Sequence, residues 1–83
     1  MSHTLHELRS EFPEDGELLH RLKLLNPHFH KIADRYHEVN RDVHRIESGV
    51  EAASDARLED LKKQRLALLD EVANMIEAHK AVA

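Results

Sequence analysis

The stretches NPHFHKIADRYHEVNRDVHRIESGV, residues 26–50, and SDARLEDLKKQRLALLDEVANMIEAHKAV, residues 54–82, decide how this chain folds. In the first, Phe29, Ile32, Tyr36, Val39, Val43, Ile46 and Val50 stand at steps that alternate three and four, which places one apolar seam along one side of a helix. The second repeats the alternation at Leu58, Leu61, Arg65, Leu68, Val72, Met75, His79 and Val82, with polar residues only at Arg65 and His79. Two such seams separated by the short break Gly49 to Ser54 bury themselves by folding back on each other. The sequence therefore predicts an all-α fold, an antiparallel, coiled-coil-like helical hairpin. Its expected core is Phe29, Ile32, Tyr36, Val39, Val43 and Ile46 facing Leu58, Leu61, Leu68, Val72 and Met75.

The boundaries follow from local chemistry. Asn26-Pro27 opens a helix over 27–48, because a pre-proline residue leaves the helical region, Asn caps and Pro suits the first helical position. Gly49 stops that helix by accepting the left-handed conformation common just past a helix end. Ser54 caps the next helix, expected over 55–80, where His79 and Lys80 suit the negative end of the helix dipole. Upstream, Phe12-Pro13 begins a shorter helix over 13–25, with Leu18, Leu19, Leu22 and Leu25 on one apolar face. Residues 1–12 read as a flexible or short helical arm. Thr4 to Glu7 fits a capping box, and the turn holding Leu5 and Leu8 is too short to persist unless it packs on something. Residues 1–83 make a single domain.

The hairpin register sets Ile46 against Leu58, Val43 against Leu61, Val39 against Arg65, Tyr36 against Leu68, Ile32 against Val72 and Phe29 against Met75. Arg65 is the one conflict in an otherwise apolar column. Its guanidinium either snorkels to the rim or pairs with Glu38, with Asp42 or with an acid of a second subunit and fixes the register.

A two-helix seam leaves apolar residues over. Leu66, Leu69 and Ile76 lie outside the seam column, and Leu18, Leu22 and Leu25 form a face on the shorter helix. These six are the expected interface. The shorter helix, folding back across the open end, can cover part of the extra face with Leu18, Leu22 and Leu25. The simplest cover for the rest is a second copy, giving a homodimer in a four-helix arrangement; the alternative is an unidentified partner protein.

The chain has no cysteine, which excludes disulfides, thiolate zinc sites and thiol nucleophiles. Its net charge of −4 argues against general affinity for nucleic acid or anionic membrane. Eight histidines make that charge sensitive to pH, since most would be protonated by about pH 5.5. No stretch reaches membrane-spanning length, and residues 1–11 lack the basic start and apolar run of a signal peptide, so a cytoplasmic protein is expected.

His30, Asp34 and His37 share a stripe of the longer polar face with Arg41 and His44, and imidazole and carboxylate are suitable zinc ligands. Ligands seven residues apart on a straight helix are about 10 Å apart, too far to share one ion. A solvated polar face is therefore the ordinary reading, and no metal or other cofactor is expected. The alternative is metal-assisted assembly, in which His30 with Asp34, or Asp34 with His37, gives two ligands and a partner subunit completes the set. Arg57, Lys62, Lys63 and Arg65 form the only basic concentration; acids flank them and the helix has no aromatic, so they are weak candidates for phosphate contact. No nucleophile–base pair or phosphate-cradling glycine loop occurs, and the sequence reads as non-enzymatic.

Phe12-Pro13, Arg21-Leu22-Lys23, Asn26-Pro27 with Phe29, and the block Leu61-Lys62-Lys63-Gln64-Arg65-Leu66-Ala67-Leu68 followed by Asp70-Glu71 resemble the YdcH-like family of small bacterial proteins, a domain of unknown function. The resemblance covers roughly Phe12 to Glu77. It departs at Leu69, where the family pattern has lysine. It implies a helical, coiled-coil-like fold and a bacterial cytoplasmic location, and it brings no activity or catalytic residues with it.

Overall fold

The computed structural model describes residues 8–82. Among them are a helical turn over 8–11, a 3-10 turn at Pro13–Asp15, and three α-helices: α1 (Gly16–Leu25), α2 (Pro27–Glu47) and α3 (Asp55–Val82). The Thr4 to Glu7 capping box and Leu5 lie outside the described residues.

Asn26 serves two helices at once. Its backbone N–H donates to the Leu22 carbonyl at 2.9 Å, closing α1, while its side-chain Oδ1 accepts from the Phe29 N–H at 3.1 Å, opening α2. The extended backbone that proline imposes on its predecessor makes the double role possible. At the far end of α2, Gly49 has φ of 82°, and the N–H groups of Val50 and Glu51 both reach the Arg45 carbonyl. The Ser54 Oγ then accepts from the Arg57 N–H at 3.1 Å and starts α3. That helix continues past Lys80 to Val82, spanning roughly 42 Å at 1.5 Å per residue, close to the 44 Å length of the molecule.

α2 and α3 run antiparallel. Lys62 meets Glu47 near the turn, Arg65 meets Asn40 further along and Gln64 meets Arg35 beyond it, so partners separate steadily in sequence as the helices recede from the loop. The seam between them holds two connected clusters. Near the turn, Val39, Val43 and Leu61 are buried, with Ile46, Leu58 and Leu68 packed against them. Toward the open end lie Phe29, Ile32, Tyr36, Val72 and Ile76, with Leu68 and Met75 at the edge. Val50, the last residue of the α2 column, lies in the loop and is 78% exposed.

The open end is where the chain departs from a simple hairpin. Leu8 from the N-terminal turn and Leu19 from α1 are fully buried there, together with Leu22 and Ala33. The turn persists because it packs: Leu8 and Phe12 stand four residues apart on one face, and the Phe12 N–H donates to the Leu8 carbonyl at 2.9 Å. Across this end the Lys80 ammonium sits 2.9 Å from Asp15, tying the last turn of α3 to the start of α1. That hydrogen bond raises the Lys80 pKa above its ordinary value, against the smaller opposing effect of desolvation.

Candidate functional site

The expected interface divides in two. Leu22 and Ile76 are not available to a partner: they lie in the single chain's own core at 7% and 2% exposure. α1 and the N-terminal turn fold over the open end of the hairpin, with Leu22 on the inward face of α1 and Ile76 beneath it in the same core. Leu18 and Leu69 are half-buried and pack against the same cluster. Leu25 does not cover the hairpin at all; it and Leu24 point away, because α1 uses Leu19 and Leu22, three residues apart, as its inward face. Leu66 stays exposed at 61% near the middle of α3.

Leu66 is one wall of a groove of 380 Å³. The groove runs between three pieces of chain: Ser10 and Glu11 in the N-terminal turn, Tyr36 and Asn40 on α2, and Lys62, Arg65, Leu66 and Leu69 on α3. It exists because α1 and the N-terminal turn cover the open end of the hairpin and stop short of its middle. The residues at 62, 66 and 69 then share one flank of α3 by their three- and four-residue spacing. The groove therefore has an apolar side and a cationic rim.

The rim is held in place. Arg65 Nη1 donates to Asn40 Oδ1 at 2.9 Å, and Lys62 Nζ lies 3.2 Å from Glu47. Neither Glu38 nor Asp42 is the Arg65 partner. Two residues along a helix is a rotation of about 200°, so Asn40 and Asp42 stand on opposite rims of α2. Arg65 leans to the Asn40 side, while Glu38 on the other rim accepts from Arg35 at 3.3 Å. The half-buried Arg65 thus avoids the seam, which Leu61, Leu68 and Val72 fill, and its stem packs beside it.

Among the described residues, the other basic candidates are paired with acids or spread apart. Arg57 faces Glu51 at 3.5 Å, Lys62 faces Glu47, and Lys63 is exposed on the outer side of α3. On the outer face of α2, His30 Nε2 and Asp34 Oδ2 are 3.2 Å apart, both about half exposed. His37 turns toward the covered side, and its Nδ1 is buried with no hydrogen-bond partner among the described residues. Among the described residues no three His, Cys, Asp or Glu side chains are placed to hold a metal ion. A second hollow, of 610 Å³, lies at the open end beside Arg9, Gly16, Arg21 and Lys80, where Glu14, Asp15 and Glu17 balance the cations.

Sequence reasoning missed Leu8, Leu19 and Ala33 as core residues. The signal for Leu8 was its four-residue spacing to Phe12. For Ala33 it was the position next to Ile32, on the side of α2 that a third helix must approach closely.

Comparison with known proteins places this architecture. A family model described as "Protein of unknown function (DUF465)" matches residues 29–76, the greater part of the α2–α3 hairpin. The chain belongs to the DUF465 family. Two relatives, each named "Uncharacterized protein YdcH", one from Escherichia coli strain K12 and one from Shigella flexneri, are 32% identical over 66 residues. Those alignments cover 80% of this chain and 89% of each relative. No solved structure gives a significant match. The DUF465 match spans α2, the loop and most of α3, so it includes the α2 and α3 walls of the groove and leaves out the N-terminal turn and α1. No helix among the described residues is long and apolar enough to cross a membrane.

Proposed function

We propose that this DUF465 protein is a non-catalytic interaction module that docks another protein surface through the Leu66–Leu69 flank of α3. The observation that carries the reading is Leu66 itself, a large apolar side chain 61% exposed in the middle of a helix, beside a groove with half-buried Leu69 and buried Tyr36 at its base. An apolar centre with a polar rim is the anatomy of a protein interface. Lys62 and Arg65 supply that rim, and Arg65 is preset by Asn40 so that little freedom is lost when a partner arrives. A straight helix flank of this kind accepts another helix. The cytoplasm is the proposed location, on the family resemblance alone.

The test is Leu66→Glu. The variant should keep its helical circular dichroism, because the side chain is outside the core, and should lose association, read both as particle mass of the purified protein and as proteins retained from a cell extract. Unchanged association in both readouts would refute docking through this flank.

A further inference from the structure

We infer that the occupant of the Leu66 flank is a second copy of this chain, paired antiparallel α3 to α3 about a two-fold axis. The inference rests on the reading of Leu66 as the centre of a docking face, and it adds what fits there. Along α3, Lys62, Leu66, Leu69 and Ala73 recur at steps of four, three and four, with Asp70 and Glu77 on the outer edge of the same stripe. Next to the apolar centre the charges are distributed unevenly: Lys62 precedes it and Asp70 follows, with the acids Glu59 and Glu77 further out at the two ends.

That polarity makes the stripe complementary to itself when reversed. If Leu66 lies opposite Leu69 of the second copy, then Lys62 lies opposite the second copy's Ala73 and within one helical turn of its Asp70 and Glu77. The two-fold axis repeats both contacts, so each Lys62 faces acids of the other copy, and the like-charged Glu59 and Glu77 meet only at the two ends of the interface. A parallel pairing would instead set each charge beside its own copy. Ala73 matters for space: with only a methyl group it leaves room for the Leu66 side chain one turn from Leu69. Lys62 is free to take part because its bond to Glu47 is half exposed and uses one of three ammonium donors.

The experiment is sedimentation of the full chain over a concentration series, comparing wild type with Leu66→Glu, Lys62→Glu, Asp70→Lys and the exchange Lys62→Glu/Asp70→Lys. Wild type should reach twice the 9.6 kDa mass of one chain. Leu66→Glu and each single reversal should weaken the dimer roughly 10- to 100-fold, and the exchange should return it to the wild-type range. Asp70→Lys leaves the Lys62–Glu47 bond untouched, so its effect is free of that contact; circular dichroism on every variant separates dissociation from unfolding. A dimer indifferent to the charge reversals would overturn the antiparallel register. A wild type that stays monomeric while another protein binds in a Leu66-dependent way would overturn self-pairing and leave the docking reading standing. A monomer with no Leu66-dependent partner would overturn both.

Discussion

Leu8→Ala probes whether the N-terminal turn is part of the core or an appendage. Leu8 is fully buried in the core cluster that also holds Leu19, Leu22, Phe29, Ile32, Tyr36, Val72 and Ile76. Truncation to Ala removes three carbons, about 2.4 kcal/mol at roughly 0.8 kcal/mol each, and leaves a cavity whose walls come from three helices. Those walls are anchored by the α2–α3 seam and collapse little, which pushes the cost up. Undocking of the short turn pulls the other way, because residues 8–12 can release without unfolding the hairpin. The expected loss is about 2–4 kcal/mol, or a midpoint lower by roughly 10–25 °C for a domain of this size. Urea and thermal unfolding followed by circular dichroism measure it, with Leu25→Ala as control. Leu25 is 76% exposed, and its truncation should stay within about 0.5 kcal/mol of wild type. A Leu8→Ala midpoint that coincides with that of Leu25→Ala would refute the placement of the turn in the core.

Other substitutions test the remaining supports. Val43→Asp puts a carboxylate at a position 1% exposed with apolar neighbours, and should abolish the cooperative unfolding transition; a variant with wild-type helicity and midpoint would mean the seam is misdrawn. Gly49→Ala meets no atom within 4 Å, so its entire cost is the positive φ, about 1–2 kcal/mol by urea titration. No loss there would contradict the left-handed turn. Lys80 has a raised pKa through Asp15, so the contact contributes fully below the ordinary value of 10.5 and is lost as pH rises through the higher folded value. Asp15→Asn should lower the Lys80 pKa in an NMR titration and flatten the stability change above that range; an unmoved pKa would exclude this bond as its cause.

The α2–α3 hairpin was legible because a seven-residue repeat has one geometric solution, and because Asn26, Gly49 and Ser54 each have one dominant use at a helix end. Leu22 and Ile76 were misassigned for a related reason. Periodicity reports which side of a helix is apolar but not which neighbour covers it, and a hairpin with a third helix has two inner sides. The same ambiguity hid Leu8, since a single turn carries no period to read. Arg65 is legible in the sequence as an intruder in the column, with the rim and an acid such as Glu38 or Asp42 as its two open destinations; the structure takes it to the rim beside Asn40. Charge suggested those acids, whereas helix rotation brings the uncharged Asn40 within reach. The groove itself was invisible in the sequence, because it depends on where the N-terminal turn stops against α3.

The central claim, that α3 carries one uncovered apolar centre which association covers, is tested most directly by methyl NMR with a paramagnetic cosolute, at low and high protein concentration. Dilute protein should show strong relaxation of the Leu66 methyls and little of those of Leu19, with Leu66 becoming protected as concentration rises. Leu66 methyls that stay equally exposed at every concentration, or are already shielded in the dilute monomer, would contradict it.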